Sequence, residues 1–223
     1  ERLDESSAEL LSAAVADAAA FDVPIETKTV LSHRGIAEVF DAARRNDADA
    51  VVMGYGGARF AGGRVEGSLD ELARDLPCDF LVLDGQRLDL SNVLVPTAGG
   101  PSSDLSAEVA LALREAVGAN VSLLHVVDGG EEASGREFLA DWAAGRGLGD
   151  ADLRVETGDV GAAIERVAAG YDLVVVGASE RGLLSRVVRG SLASAAVERL
   201  DAPVLLAERP SPRPLRKRLF GGR

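Results

Sequence analysis

A chain of 223 residues with 47% apolar side chains is long enough for one or two packed domains, and with only 4% aromatics Val, Leu and Ala must fill the cores. A formal charge of −12 excludes a general nucleic-acid binder, because phosphate backbones need Lys and Arg to neutralise them. The single cysteine, Cys78, excludes an internal disulfide and a Cys-based metal site and fits a reducing cytoplasm.

The charge is uneven. From Arg209 onward six basic side chains stand without an acidic one, leaving about −18 on the rest. Lys28 and Lys217 are the only lysines. This acidic, Arg- and Ala-rich composition is open to two readings, a salt-loving source or a GC-rich genome. No apolar run approaches the ~20 residues of a membrane span, and no signal peptide is visible. The first residue is Glu1 rather than Met, which leads us to expect that something upstream has been removed.

In chain order, residues 6–21 read as a helix and 25–31 as a strand. Residues 36–45 form an amphipathic helical stretch, followed by Asp49 and the short apolar run Ala50-Val51-Val52-Met53-Gly54. A run this short and rich in β-branched residues reads as a buried parallel strand. A Gly-rich loop leads to Gly67-Ser68 and a helix over 68–76, with Ser68 and Glu71 spaced as a capping box. A strand follows at 80–83, then a short linker at 84–91.

The next segment supplies a full set of alternating elements: strands at 93–96, 121–127 and 153–157, with helices at 104–117 and 131–146. Then the earlier pattern returns. Residues 160–169 are helical, Asp172 precedes Leu173-Val174-Val175-Val176-Gly177, and Gly190-Ser191 opens a helix over 191–200 before a last strand at 204–207. The two apolar runs and the two Gly-Ser pairs share an offset of 123 residues, the signature of a repeated unit.

The second copy therefore predicts an α/β fold, a doubly wound parallel five-stranded sheet with right-handed crossovers. The first copy lacks its first two strands and first helix, which belong in mid-sheet, between the third and fourth strands. We expect a truncated domain at 1–88, a complete one at 92–208 and a basic tail at 209–223.

These residues resemble the universal stress protein family, whose signature is Gly, two residues, Gly, nine residues, then Gly followed by Ser or Thr. Gly54, Gly57, Gly67 and Ser68 carry it intact. Gly177, Gly190 and Ser191 carry it in the second copy, with Glu180 in place of the second glycine. The opening strand Val95-Pro96-Thr97-Ala98-Gly99-Gly100 resembles the family's first strand, with Ala98 where an aspartate is expected. Leu123-Leu124-His125-Val126-Val127-Asp128 matches its second strand.

The resemblance implies a fold of the adenine-nucleotide α-hydrolase-like kind and a site for ATP or AMP at Gly54, Gly57, Gly67 and Ser68. In the second copy it implies Thr97, Gly99, Val127, Gly177, Gly190 and Ser191. Glycines let backbone approach phosphate oxygens, and a Gly-Ser pair opening a helix offers unpaired N–H groups and a positive dipole end. Glu180 sets a carboxylate against polyphosphate, with Arg181, Arg186 and Arg189 close enough in sequence to compensate. For the second copy the alternative is that its glycines only make tight strand-to-helix turns.

His125, mid-strand, reads as a packed or hydrogen-bonded residue, His33 as a loop residue, Cys78 as buried and inert, and Trp142 as helix-face packing. Two histidines make no metal cluster, and no nucleophile–base–acid set or Gly-Lys-Ser/Thr phosphate loop is present. We therefore expect a regulator rather than an enzyme. The chain also resembles the soluble C-terminal region of archaeal amino-acid transporters, which implies a transmembrane domain upstream and a place at the cytoplasmic face of the membrane. The basic tail, with Leu215, Leu219 and Phe220, has two readings, a solvated terminus or a contact with anionic lipid. The family also implies dimer-like pairing of domains, with strands 80–83 and 204–207 joined inside this chain. The alternative function is a nucleotide-independent scaffold or dimerisation module.

Overall fold

The computed structural model describes residues 2–30, 36–55, 76–85, 88–177, 200 and 202–210. They fall into two compact units, residues 1–38 and residues 39–223.

The first unit holds helix α1, Arg2–Ala20. It ends where Phe21 and Val23 turn back to donate to the Ala18 carbonyl, with Asp22 in the left-handed region at φ 54°. The strand expected at 25–31 does not form over 25–30, and Ile25 and Val30 are exposed. The reason lies in the repeat. In the second copy the equivalent strand bonds to one neighbour only, and these 223 residues contain no first-copy counterpart of that neighbour. A strand without a ladder has no way to satisfy its backbone.

Helix α2 spans Ile36–Arg45, and β1 follows at Ala50–Tyr55. The second unit continues with β2 (Asp79–Asp84), β3 (Asn92–Pro96), α3 (Pro101–Val117), β4 (Asn120–Val127), α4 (Glu132–Ala144), β5 (Asp152–Thr157), α5 (Val160–Ala168), β6 (Leu173–Gly177) and β7 (Val204–Glu208). Helix α3 starts at Pro101, three residues before the sequence reading placed it. Proline suits the first helical position, where its missing N–H leaves nothing unpaired.

The strands form one seven-stranded sheet in the order β1-β2-β7-β6-β3-β4-β5. The second copy supplies five parallel strands and the order reverses at β3, as a doubly wound fold requires. The first copy's two strands extend the same sheet rather than forming one of their own. Their junction is, among the described residues, the one antiparallel pairing, Phe80↔Glu208 through Asp84↔Val204, at the two strands expected to meet.

Central strands are buried on both faces, which is why β3 and β6 read as unbroken apolar runs. Val93, Leu94, Val95, Val174 and Val175 are fully buried, with Leu123, Leu139 and Ala143 packed around them. Trp142 lies in this core under the Arg146 guanidinium, 4.5 Å from the ring centroid. Asp172, just before β6, takes hydrogen bonds from the Asn92 backbone (3.1 Å) and side-chain amide (2.7 Å), tying the starts of β3 and β6 together.

Candidate functional site

The C-terminal ends of β3, β4 and β6 lie on one edge of the sheet, at the reversal of strand order. Thr97 extends β3, its N–H bonding to the Leu124 carbonyl at 2.8 Å. Its hydroxyl accepts from the Gly99 N–H at 3.1 Å, and its carbonyl meets His125 Nδ1 at 2.8 Å. His125 also packs on Phe138 with centroids 4.6 Å apart. The ring and Nδ1 thus each have a structural partner, in line with the packed or hydrogen-bonded reading.

Gly99 and Gly100 take φ values of 83° and 93°, which a side chain would strain. Together they swing the chain from β3 into α3, and Gly100 caps that helix without a side-chain hydrogen bond. Among the described residues no side chain of the cap hydrogen-bonds to the first turn of α3. Ala98 contributes no carboxylate. Val127 closes β4 and accepts from the Gly158 N–H at 3.1 Å. Its Cγ1 lies 2.7 Å from where a Cβ on Gly135 would stand, so α4 rides close on β4.

Gly177 closes β6 against the start of α3. A Cβ there would come within 2.7 Å of Ser102 and Ser103 backbone atoms. The missing side chain thus lets the start of α3 pack closely on the end of β6.

Thr97, Gly99, Val127 and Gly177 thus share one edge. Gly54 does not. It lies next to the end of β1, which runs parallel to β2 and hence antiparallel to β7, β6 and β3, so the seam sets Gly54 at the opposite edge. Gly57, Gly67, Ser68, Glu180, Gly190, Ser191 and His33 lie outside the described residues.

Sequence reasoning missed a charged cluster at the end of β7. Arg209 chelates Asp79 of β2 (3.1 and 2.8 Å) and Glu108 of α3 (2.9 and 2.7 Å). The hydrogen bond from Arg209 holds the Glu108 carboxyl below its usual range. Counting Arg209 with the basic tail hid this, although its position directly after an apolar strand was the available signal. Beside it, Glu208 keeps Oε2 buried with no hydrogen-bond partner, and burial pushes its carboxyl up to about 7. Cys78 is buried, and its thiol is raised by burial first and then by Asp79 and Asp49. Among the described residues no group of three or more His, Cys, Asp or Glu is placed to hold a metal, and no helix is long and apolar enough to cross a membrane.

A model of the universal stress protein family matches residues 1–84 and again 131–208. The chain belongs to the universal stress protein family. The two matches agree with two tandem copies. A universal stress protein from Archaeoglobus fulgidus shares the fold with a TM-score of 0.66, covering 94% of this chain and 78% of that one at 18% identity. A protein of unknown function from Pseudomonas aeruginosa does so with a TM-score of 0.58, over 91% and 78%, at 15% identity. Among curated proteins, N5-carboxyaminoimidazole ribonucleotide mutase from Mycobacterium leprae is 38% identical over 92 residues, 40% of this chain. The chain spans about half the length of that relative, 53%.

Proposed function

We propose that this universal stress protein is a non-catalytic regulatory module that senses an adenine nucleotide, ATP or AMP, at the C-terminal edge of its sheet. One observation carries the reading. Gly99 and Gly100 open α3 at the reversal of strand order with no side-chain cap, leaving backbone N–H groups and the helix dipole for a phosphate. With Ala98 in place of a carboxylate, recognition here falls to backbone donors and the Thr97 turn. Gly54, in β1 where a Cβ would meet nothing within 4 Å, is the described residue of the first copy's signature.

Thermal melts with and without millimolar ATP, AMP or cyclic AMP test this, read together with hydrogen exchange at 98–104 and 54–55. A shift of a few degrees with slowed exchange at either edge is the expected result. Unchanged melting and exchange with every nucleotide would leave the second reading, a nucleotide-independent scaffold. Two observations favour that one: Gly177 has a steric reason to be glycine in its contact with α3, and the β2–β7 seam already joins two copies.

We further propose that the module is the cytoplasmic regulatory region of an amino-acid transporter, with its basic tail on anionic lipid. The support is the sequence resemblance and the five basic side chains from Arg213 onward. Cosedimentation with phosphatidylglycerol vesicles, and none with phosphatidylcholine, is expected at low salt. Equal sedimentation of a chain ending at Pro210 counts against the tail.

A further inference from the structure

Helix α4 buries Leu139 and Trp142 in the core and leaves Phe138 36% exposed. Two glycines set where that ring stands. Gly135 is buried inside the helix, and a Cβ there would come within 2.7 Å of Val127 Cγ1 and 3.4 Å of His125 Cδ2. A glycine inside a helix is destabilising relative to alanine. Here it lets α4 lie close on β4 and brings Phe138 to the end of β3. Gly99 lies at the tip of the ring, where a Cβ would stand 3.5 Å from Phe138 Cζ and 3.8 Å from Cε2. His125 packs on the same ring with centroids 4.6 Å apart and planes 44° apart, and its Nδ1 is held at the Thr97 carbonyl. Phe138 is thus a positioned, half-open aromatic surface that touches the residue before Gly100, the cap of α3.

Polar groups at this edge are already engaged. The Thr97 N–H donates to Leu124, its carbonyl meets His125, and its hydroxyl accepts from the Gly99 N–H. The Val127 carbonyl accepts from Gly158, and Ala98 has no polar side chain. A flat heteroaromatic base arriving here finds a ring to stack on rather than a side-chain acceptor to pair with. Beside that ring, α3 opens without a side-chain cap hydrogen bond, where N–H groups and the helix dipole favour a phosphate. A free phosphate would use only the helix start, whereas a nucleotide uses both features.

We propose that Phe138 is the base-positioning residue of this edge: a purine ring stacks on its exposed side while the phosphate of the same nucleotide lies at the start of α3. The proposal rests on the reading of this edge as a nucleotide site and adds the residue that holds the base. Stacking grips a base through its π-face, whatever groups its edge carries, so the contact needs no acceptor from Ala98.

The test titrates the full chain with ATP and with inorganic tripolyphosphate. It reads hydrogen exchange at 98–104, with amides 54–55 as a reference in the same molecule. Phe138→Leu keeps an apolar side chain and removes the ring. It is expected to weaken ATP protection of 98–104 about tenfold or more. Tripolyphosphate protection there, and any ATP protection at 54–55, is expected to stay as in the parent chain. Unliganded exchange in β3 and β4 shows that the variant is folded. Phe138→Trp restores a ring and is expected to recover ATP protection. Its added fluorescence is expected to be quenched by ATP and not by tripolyphosphate, against a parent chain whose only tryptophan is the buried Trp142. ATP protection of 98–104 that survives Phe138→Leu overturns the role of Phe138 and leaves the nucleotide site standing. Equal weakening of ATP and tripolyphosphate also overturns it, because the ring would then only shape the start of α3. Absence of ATP protection at 98–104 in the parent chain removes the site at this edge, and the role of Phe138 with it.

Discussion

Glu208 ends β7 with one carboxylate oxygen buried and unpaired, and its cost is set by pH. Burial disfavours the charged form, so the folded carboxyl titrates at about 7, above the ordinary value of 4.5. Between those two values the folded state holds a proton that the unfolded chain has released. Stability therefore falls as pH rises through that window and stays low above it. Glu208→Gln removes the ionisation while keeping the shape. The variant is expected to gain about 2 kcal/mol over the parent at pH 8 and almost nothing at pH 4. Urea unfolding at the two pH values measures both, and an equal gain at each would show that charge burial is not the cause.

At the scale of elements, the repeat was legible because chemistry recurs at a fixed spacing. Asp172 before β6 is needed to clamp Asn92, and the apolar runs at 50–54 and 173–177 announce strands buried on at least one face. The antiparallel seam was legible only through family resemblance, since nothing in the run 80–83 states which strand it will meet. Its consequence, that Gly54 and Gly177 face opposite edges, follows from pairing direction and not from composition. The strand at 25–31 was misread for a related reason. Its residues have strand propensity, but propensity is a weak local preference and a ladder needs a neighbour. The Gly177 signature matched a phosphate loop, yet the same glycine is demanded by the backbone of Ser102 and Ser103. One residue type serves both purposes, so sequence alone left them open. Arg209 went unnoticed because its partners, Asp79 and Glu108, lie 130 and 101 positions away.

At the scale of the whole molecule, the net charge of −12 sets long-range repulsion against contact ion pairs. The pairs described here are short, with Arg166–Glu156 at 2.6 Å and Arg209–Asp79 at 2.8 Å. An exposed pair such as Arg166–Glu156 contributes about 1 kcal/mol or less, whereas Arg209–Asp79 is partly buried. Raising ionic strength from 0.01 to 0.15 M shortens the screening length from ~30 to ~8 Å. That change weakens repulsion between charges more than ~8 Å apart and leaves contact pairs much less affected. Screening therefore removes repulsion before it removes attraction. The melting temperature is expected to rise by a few degrees between those concentrations of KCl, and to rise similarly with NaCl if the effect is one of screening. A fall would mean that the contact pairs, led by the Arg209 cluster across the seam, outweigh the net charge. In that case Arg209→Ala would remove most of the salt dependence.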